Sequence, residues 1–242
     1  TGSAGWAIAL TDRAAIFTDS RYTVQVKAQT DTVFEKVDWP GTSLADWLAE
    51  ALPEGRLAYD PWLLTVAEHR RLAEKLPKLT LVPMANLIDR LWDDQPEPPM
   101  GAVFAQPLEL AGEAHDDKIA RLAKTLAPAE AAVITLPDSL AWLLNIRGSD
   151  IPKNPVPHGF ALLNADATVD LFIAPEKLTD LGDHLGASVR THAPDEFVPA
   201  LKAREGTVRI DPASCPVAVH EALSNPVDGE DPCILPKACK NE

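Results

Sequence analysis

Two short stretches bring together side chains that could bind or process a substrate. The first, FTDSRY at residues 17–22, ends an apolar run on Asp19, Arg21 and Tyr22. A guanidinium is a planar fork of donors that suits a carboxylate or a peptide carbonyl, which makes Arg21 a candidate substrate contact flanked by Asp19 and Tyr22. The local alternative is an Asp19–Arg21 ion pair beside a packed Tyr22. The second stretch is SLAWLLNIRGSDIPKNPV, residues 139–156. Leu140, Leu143 and Leu144 share one helical face, and Gly148 is placed to end that helix in the left-handed conformation. Ile151 and Asn154 each precede a proline, which disfavours helical backbone, so residues 149–155 should form a stiff loop presenting Arg147, Asp150, Lys153 and Asn154. Such a loop could hold a substrate or clamp another domain. It could equally be a surface turn with Arg147 paired to Asp150, an interaction worth roughly 0–1 kcal/mol when exposed.

Other catalytic chemistries find little support. The six histidines, at 69, 115, 158, 184, 192 and 220, show neither His-x-x-x-His nor His-Glu-x-x-His spacing. Cys215, Cys233 and Cys239 form an odd set without Cys-x-x-Cys, which fits reduced thiols. Cys233, Cys239 and His220 match no standard zinc spacing and lack a fourth ligand. There is no Gly-x-Ser-x-Gly elbow, and Gly2 and Gly5 precede a strand rather than linking a strand to a helix as a phosphate loop must.

These residues need elements to position them. Residues 6–18 read as a hairpin around Thr11-Asp12. TSLADWLAEAL reads as a helix capped by Thr42 or Ser43, with Leu44, Trp47, Leu48 and Leu52 on one face. RLAYD and LTLVP read as strands flanking a helix, VAEHRRLAEKL, that turns Val66, Leu72, Ala73 and Leu76 inward. After NLIDRLW, the proline- and acid-rich residues 93–107 carry no periodicity and read as an ordered linker. Beyond it, EAHDDKIARLAKTLA is an expected helix, EAAVITLP a strand, DSLAWLLNI a helix capped by Asp138, and GFALLNADATVDLFIA a hairpin around residues 164–166. LTDLGDHL, DEFVPALKAR and CPVAVHEAL are expected helices, with SVRTHA and TVRID as strands between them. Alternating strands and helices imply α/β layers, and 242 residues suffice for two domains.

The formal charge of −14 opposes the phosphate neutralisation on which nucleic-acid affinity rests, so nucleic acid is not an expected partner. No apolar run approaches the roughly 20 residues that span a bilayer, and the start lacks signal-peptide regions, so no membrane association and a cytoplasmic location are expected.

Taken together, TGSAGWAIALTDRAAIFTDSRYTVQV, LPEGRLAYDPWLL, NLIDRLWDDQPEPP, DSLAWLLNIRGSDIPKNPV and KACKNE resemble, in the same order, the cytosolic three-domain Xaa-Pro aminopeptidases. The resemblance implies two creatinase-like N-terminal domains, each a mixed β-sheet flanked by helices, ahead of a pita-bread catalytic domain. That domain would remove the N-terminal residue from peptides with proline second. It would use two divalent metal ions, manganese or zinc, held outside this segment by two aspartates, a histidine and two glutamates. Residues 1–92 are expected to be a first domain shortened at its front, 93–107 the linker, 108–236 the second domain, and 237–242 the start of a helix toward the catalytic domain. This segment would carry no metal, cofactor or catalytic residue and would serve dimerisation and substrate access. Arg21 matches the substrate-contacting arginine of the family's TDGRY pattern, with Ser20 in place of glycine. Arg147, Asp150 and Asn154 match RGSD…NP, for which the resemblance implies a structural or domain-contact role. The alternatives are a stand-alone binding or dimerisation module, or the equivalent part of a creatinase-like relative.

Overall fold

The structure, a computed structural model, describes residues 5–239 and divides into two compact units. Unit 1 comprises the chain up to Ala58 together with Arg70–Pro83; unit 2 comprises Tyr59–His69 and the chain from Met84 on.

In unit 1, β1 (Gly5–Ala9) and β2 (Ala14–Thr18) form the expected antiparallel hairpin, Trp6 opposite Phe17. A 3-10 turn over Ser20–Tyr22 and helix α1 (Thr23–Gln29) then carry the chain to β3 (Phe34–Asp38), which pairs parallel to β2. Helix α2 (Leu44–Ala51) starts where its sequence predicts: Ser43 Oγ accepts from the Asp46 N–H at 3.1 Å, satisfying one of the unpaired donors of the first turn. It buries Leu44, Trp47 and Leu48, and Trp47 meets Phe17 edge-on at 5.9 Å between ring centres. Strand β4 (Gly55–Tyr59), helix α3 (Val66–Lys75) and β5 (Leu79–Pro83) complete the first stretch, with β4 hydrogen-bonded to β5. In α3, Leu72 is buried as expected, whereas Ala73 faces solvent.

Unit 2 continues with α4 (Leu87–Leu91), β6 (Val103–Ala105), α5 (Leu108–Ala111), α6 (His115–Ala123), β7 (Ala131–Ile134), α7 (Pro137–Leu143) and β8 (Ile146–Gly148). It ends with β9 (Phe160–Asn164), β10 (Val169–Phe172), β11 (Val189–His192), α8 (Phe197–Lys202), β12 (Val208–Ile210), α9 (Val217–Ala222), β13 (Pro226–Asp228) and α10 (Ile234–Ala238). A six-stranded mixed sheet runs β11-β10-β9-β7-β12-β13, and β6 pairs antiparallel with β8. Side chains alternate between the two sheet faces. Ala132, Ile134, Ala161, Leu163, Val169 and Leu171 therefore enter one core, while Ala131, Val133, Leu162 and Phe172 enter the other. Both faces are covered, which is why β7 reads as an unbroken apolar run.

Four further expectations change. Residues 93–107 include β6, whose Val103 is fully buried; three residues are too few for a periodic signal. Helix α7 ends at Leu143 rather than running to Gly148, and Asn145 takes the left-handed conformation at φ 50°. Gly148 lies in β8, where a Cβ would sit 2.8 Å from Pro157, so close packing explains the glycine. Asp138 lies in the first turn of α7, not at its cap, because Pro137 takes the first helical position. Residues 179–186 form turns instead of a helix, with Gly182 and Gly186 at φ 54° and 61°. Residues 1–4 and the last three residues of the KACKNE segment lie outside the described residues.

Candidate functional site

The two motifs fall in different units and have opposite surroundings. Asp19 to Tyr22 follow directly on the carboxyl end of β2, where a parallel β2–β3 pair sends its chain into a helical crossover. Ligands of open α/β sheets are bound outside the carboxyl ends of strands, so the fold presents this turn at a suitable place. Asp19 takes extended backbone and caps the turn, Oδ1 accepting from the Arg21 N–H at 3.0 Å. The same carboxylate receives Arg21 Nε at 2.9 Å and Nη2 at 2.7 Å, a fork-on-fork pairing. The Arg21 guanidinium lies 5.3 Å from the centre of the Tyr22 ring. The hydrogen bonds from Arg21 hold the Asp19 carboxyl below the usual range, and the Asp19 partnership raises Arg21. The local pairing read from the sequence is therefore present. It also pre-orients a guanidinium that stays 66% exposed.

The second motif is dispersed. Arg147 and Asp150 do not pair. Arg147 Nη1 donates to the Ile146 carbonyl at 2.8 Å, and burial pulls its pKa down. Asp150 turns inward: Oδ1 accepts from the Gly101 N–H at 2.9 Å and Oδ2 from the His158 N–H at 2.6 Å. Its ion-pair partner is Lys177, whose Nζ meets Oδ2 with both side chains at most 3% exposed, and Nζ also donates to the His158 carbonyl at 3.2 Å. Burial alone would raise the Asp150 carboxyl. Lys177 and the two backbone donors more than offset this and leave it below the usual range. Asn154 acts through its backbone, its N–H reaching the Ile151 carbonyl at 3.1 Å, and Lys153 adopts φ 65° beside it. The loop's carboxylate is spent on the interior.

Two buried lysines escaped the sequence reading, because lysine reads as solvated unless its partners are known. Lys177 is one. The other, Lys118 on α6, is 1% exposed; its Nζ donates to the Trp142 carbonyl at 2.9 Å and to Asn145 Oδ1 at 2.6 Å, and sits 4.3 Å from the Trp142 ring centre. Burial lowers its pKa to about 8. Asn145 Nδ2 donates to the Glu113 carbonyl, so Lys118 helps fix the left-handed residue between α7 and β8. A third polar node centres on Asp170, which receives Arg190 Nε at 2.7 Å and Nη2 at 2.8 Å, Asn164 Nδ2 at 2.9 Å and a ring nitrogen of His192 at 3.0 Å. Burial again opposes ionisation, and these partners bring the carboxyl down to about 2.

Among the described residues, no three His, Cys, Asp or Glu side chains gather as metal ligands, and His220, Cys233 and Cys239 make no such group. The described residues do not supply the ligands of a two-metal centre. Cys215 and Cys233 are buried free thiols and Cys239 is exposed; burial raises Cys215 to about 12 and Cys233 well above the ordinary range. No helix among the described residues is long and apolar enough to cross a membrane.

Models of the Creatinase/Prolidase N-terminal domain family match residues 1–91 and 94–242. A Leptosphaeria maculans protein named "Probable Xaa-Pro aminopeptidase P" is 38% identical over 200 residues, covering 78% of this chain and 33% of that protein. Aminopeptidase P2 of Arabidopsis thaliana is 33% identical over 235 residues, covering 90% of this chain and 33% of its own. The crystal structure of the X-prolyl aminopeptidase of Caenorhabditis elegans, described as a cytosolic enzyme with a di-nuclear active site, superimposes with a TM-score of 0.89 at 27% identity. That match covers 100% of this chain and 43% of the nematode chain. The chain thus spans about a third of the length of the curated relatives.

Proposed function

We propose a function from one premise: the chain belongs to the Creatinase/Prolidase N-terminal domain family. It acts as the non-catalytic region of a metal-dependent Xaa-Pro aminopeptidase, a cytoplasmic hydrolase that releases the first residue of peptides with proline second. Its metals, two divalent ions of manganese or zinc, are held outside this chain. The region serves substrate access and homodimerisation, and Arg21 is the residue that reaches the peptide.

The observation that carries the reading is the state of Arg21. A side chain paired with a carboxylate two residues away stays 66% exposed, so its guanidinium is held at the surface. A guanidinium carries five N–H donors, of which Asp19 takes one edge, and such donors suit a peptide carbonyl or a terminal carboxylate. Asp150 supports a structural role for the second motif, since Gly101, His158 and Lys177, which it joins, all belong to unit 2.

The test is release of the first residue from a tripeptide with proline second, using the native product purified from its source, with mass determination of the same sample. Turnover by a product much heavier than this chain, weakened by Arg21→Ala, supports the proposal. A native product of this length without turnover replaces it with a stand-alone binding module.

A further inference from the structure

Residues 59–69 precede the linker in sequence and fall within the first family match, yet they belong to unit 2. The segment begins with a turn in which Asp60 Oδ1 accepts from the Trp62 N–H at 2.8 Å. It then runs beside residues 212–218. The Val66 N–H donates to the Cys215 carbonyl at 3.0 Å and the Ala67 N–H to the Pro212 carbonyl at 2.9 Å. In return, the Val217 N–H donates to the Leu64 carbonyl and the Ala218 N–H to the Pro61 carbonyl, both at 2.9 Å. Thr65 and Pro216 stand opposite each other as an antiparallel bridge, where the missing proline N–H costs nothing because the donors lie to either side. Leu64 and Val66 are buried, and Val66 enters the same core as Cys215, Phe197 and Val219. Trp62 lies 6.0 Å from Phe160, which stacks on Phe197 at 4.5 Å.

We infer that residues 61–67 are a clasp that closes one core of unit 2 and governs access to the Cys215 thiol. Four backbone hydrogen bonds and two buried aliphatic side chains hold it, without a disulfide or an ion pair among these contacts. Opening it uncovers the core containing Cys215, while the core on the other sheet face, which contains Cys233, stays closed. The folding unit therefore differs from the family match beginning at residue 94, which lacks the clasp. This inference is independent of the aminopeptidase reading.

The test uses the full chain and its three cysteines as reporters. Native protein and a Leu64→Ala/Val66→Ala variant are alkylated with N-ethylmaleimide, and each cysteine is followed by mass spectrometry. Cys215 should react about tenfold faster or more in the variant, the change expected for about 1.4 kcal/mol of easier opening. Cys233 should keep its slow rate, with exposed Cys239 reacting quickly in both. Equal acceleration of Cys215 and Cys233 would mean general loosening and overturn the clasp, as would an unchanged Cys215. If the double variant does not fold, Val66→Pro serves: it removes the hydrogen bond to Cys215 at the first position of α3, where proline is tolerated. The same selective acceleration is expected, and the same two contrary results overturn it.

Discussion

Asp19 and Asp150 are both aspartates paired with a cation in a short polar motif, and the fold uses them in opposite ways. Asp19 finds Arg21 two residues away and holds it at the surface. Asp150 finds Lys177 27 residues away and Gly101 49 residues away, and disappears into the interior. A local pair holds a side chain at the surface, at little consequence to the fold. A long-range buried pair joins segments, and removing either partner leaves a charge uncompensated.

The contrast breaks most sharply at Asp150. Replacing it with alanine strands the Lys177 ammonium and two backbone N–H groups, and such losses cost about 3–5 kcal/mol. Urea unfolding of Asp150→Ala should show a midpoint lowered accordingly, and Asp150→Ala/Lys177→Met should recover part of it. A midpoint close to the parent's would mean that Asp150 is no more structural than Asp19.

Lys118 sharpens the same point by titration. Its folded pKa of about 8 lies below the ordinary 10.5, so between these values the unfolded chain binds the extra proton. Stability should rise as the pH goes from about 8 to 10.5 and be lost again as it falls through 8, by a few kcal/mol at most by linkage, on the order of 3. Lys118→Met should flatten this alkaline rise in urea midpoints measured across the range. A rise that persists unchanged in the variant would assign it to other groups.

Asp170 acts at the other end of the scale. Its carboxyl is depressed to about 2, so its contribution is present above the ordinary value of 3.8 and is lost as the pH falls through about 2. The linkage is worth roughly 2 kcal/mol and somewhat less after screening, because Arg190 is half exposed. Asp170→Asn should shrink the acid-induced loss between pH 4 and 2, followed by circular dichroism. An acid limb identical to the parent's would remove Asp170 from the account.

What the sequence disclosed follows the same division between local and distant causes. The Ser43 cap, the β1–β2 and β9–β10 hairpins and the Asp19–Arg21 pair depend on residues a few positions apart, and all are readable in a short window. Gly148 reads locally as a helix end, but its reason is Pro157, a neighbour in space. Residues 178–185 have helical apolar spacing, but Gly182 and Gly186 give the chain left-handed turns instead. Lys118 and Lys177 gave no signal at all: residue type places a lysine in water, and only a carboxylate, carbonyl or indole ring supplied from elsewhere in the fold makes its burial possible.

Arg21 carries the smallest expected effect on folding and, under the proposed function, the most direct expected effect on turnover. Its guanidinium is exposed and its carboxylate partner is local, so Arg21→Ala should leave the urea midpoint where it was. Under the proposed function, the same change in the native product should lower kcat/KM for a peptide with proline second, because the guanidinium is lost. Arg21→Lys keeps the charge but not the fork, so it should recover little of the activity if two parallel hydrogen bonds matter and most of it if charge alone does. The pair of measurements separates the two motifs: a variant that weakens turnover without moving the midpoint places Arg21 at the peptide, whereas a variant that moves the midpoint and spares turnover makes it another Asp150.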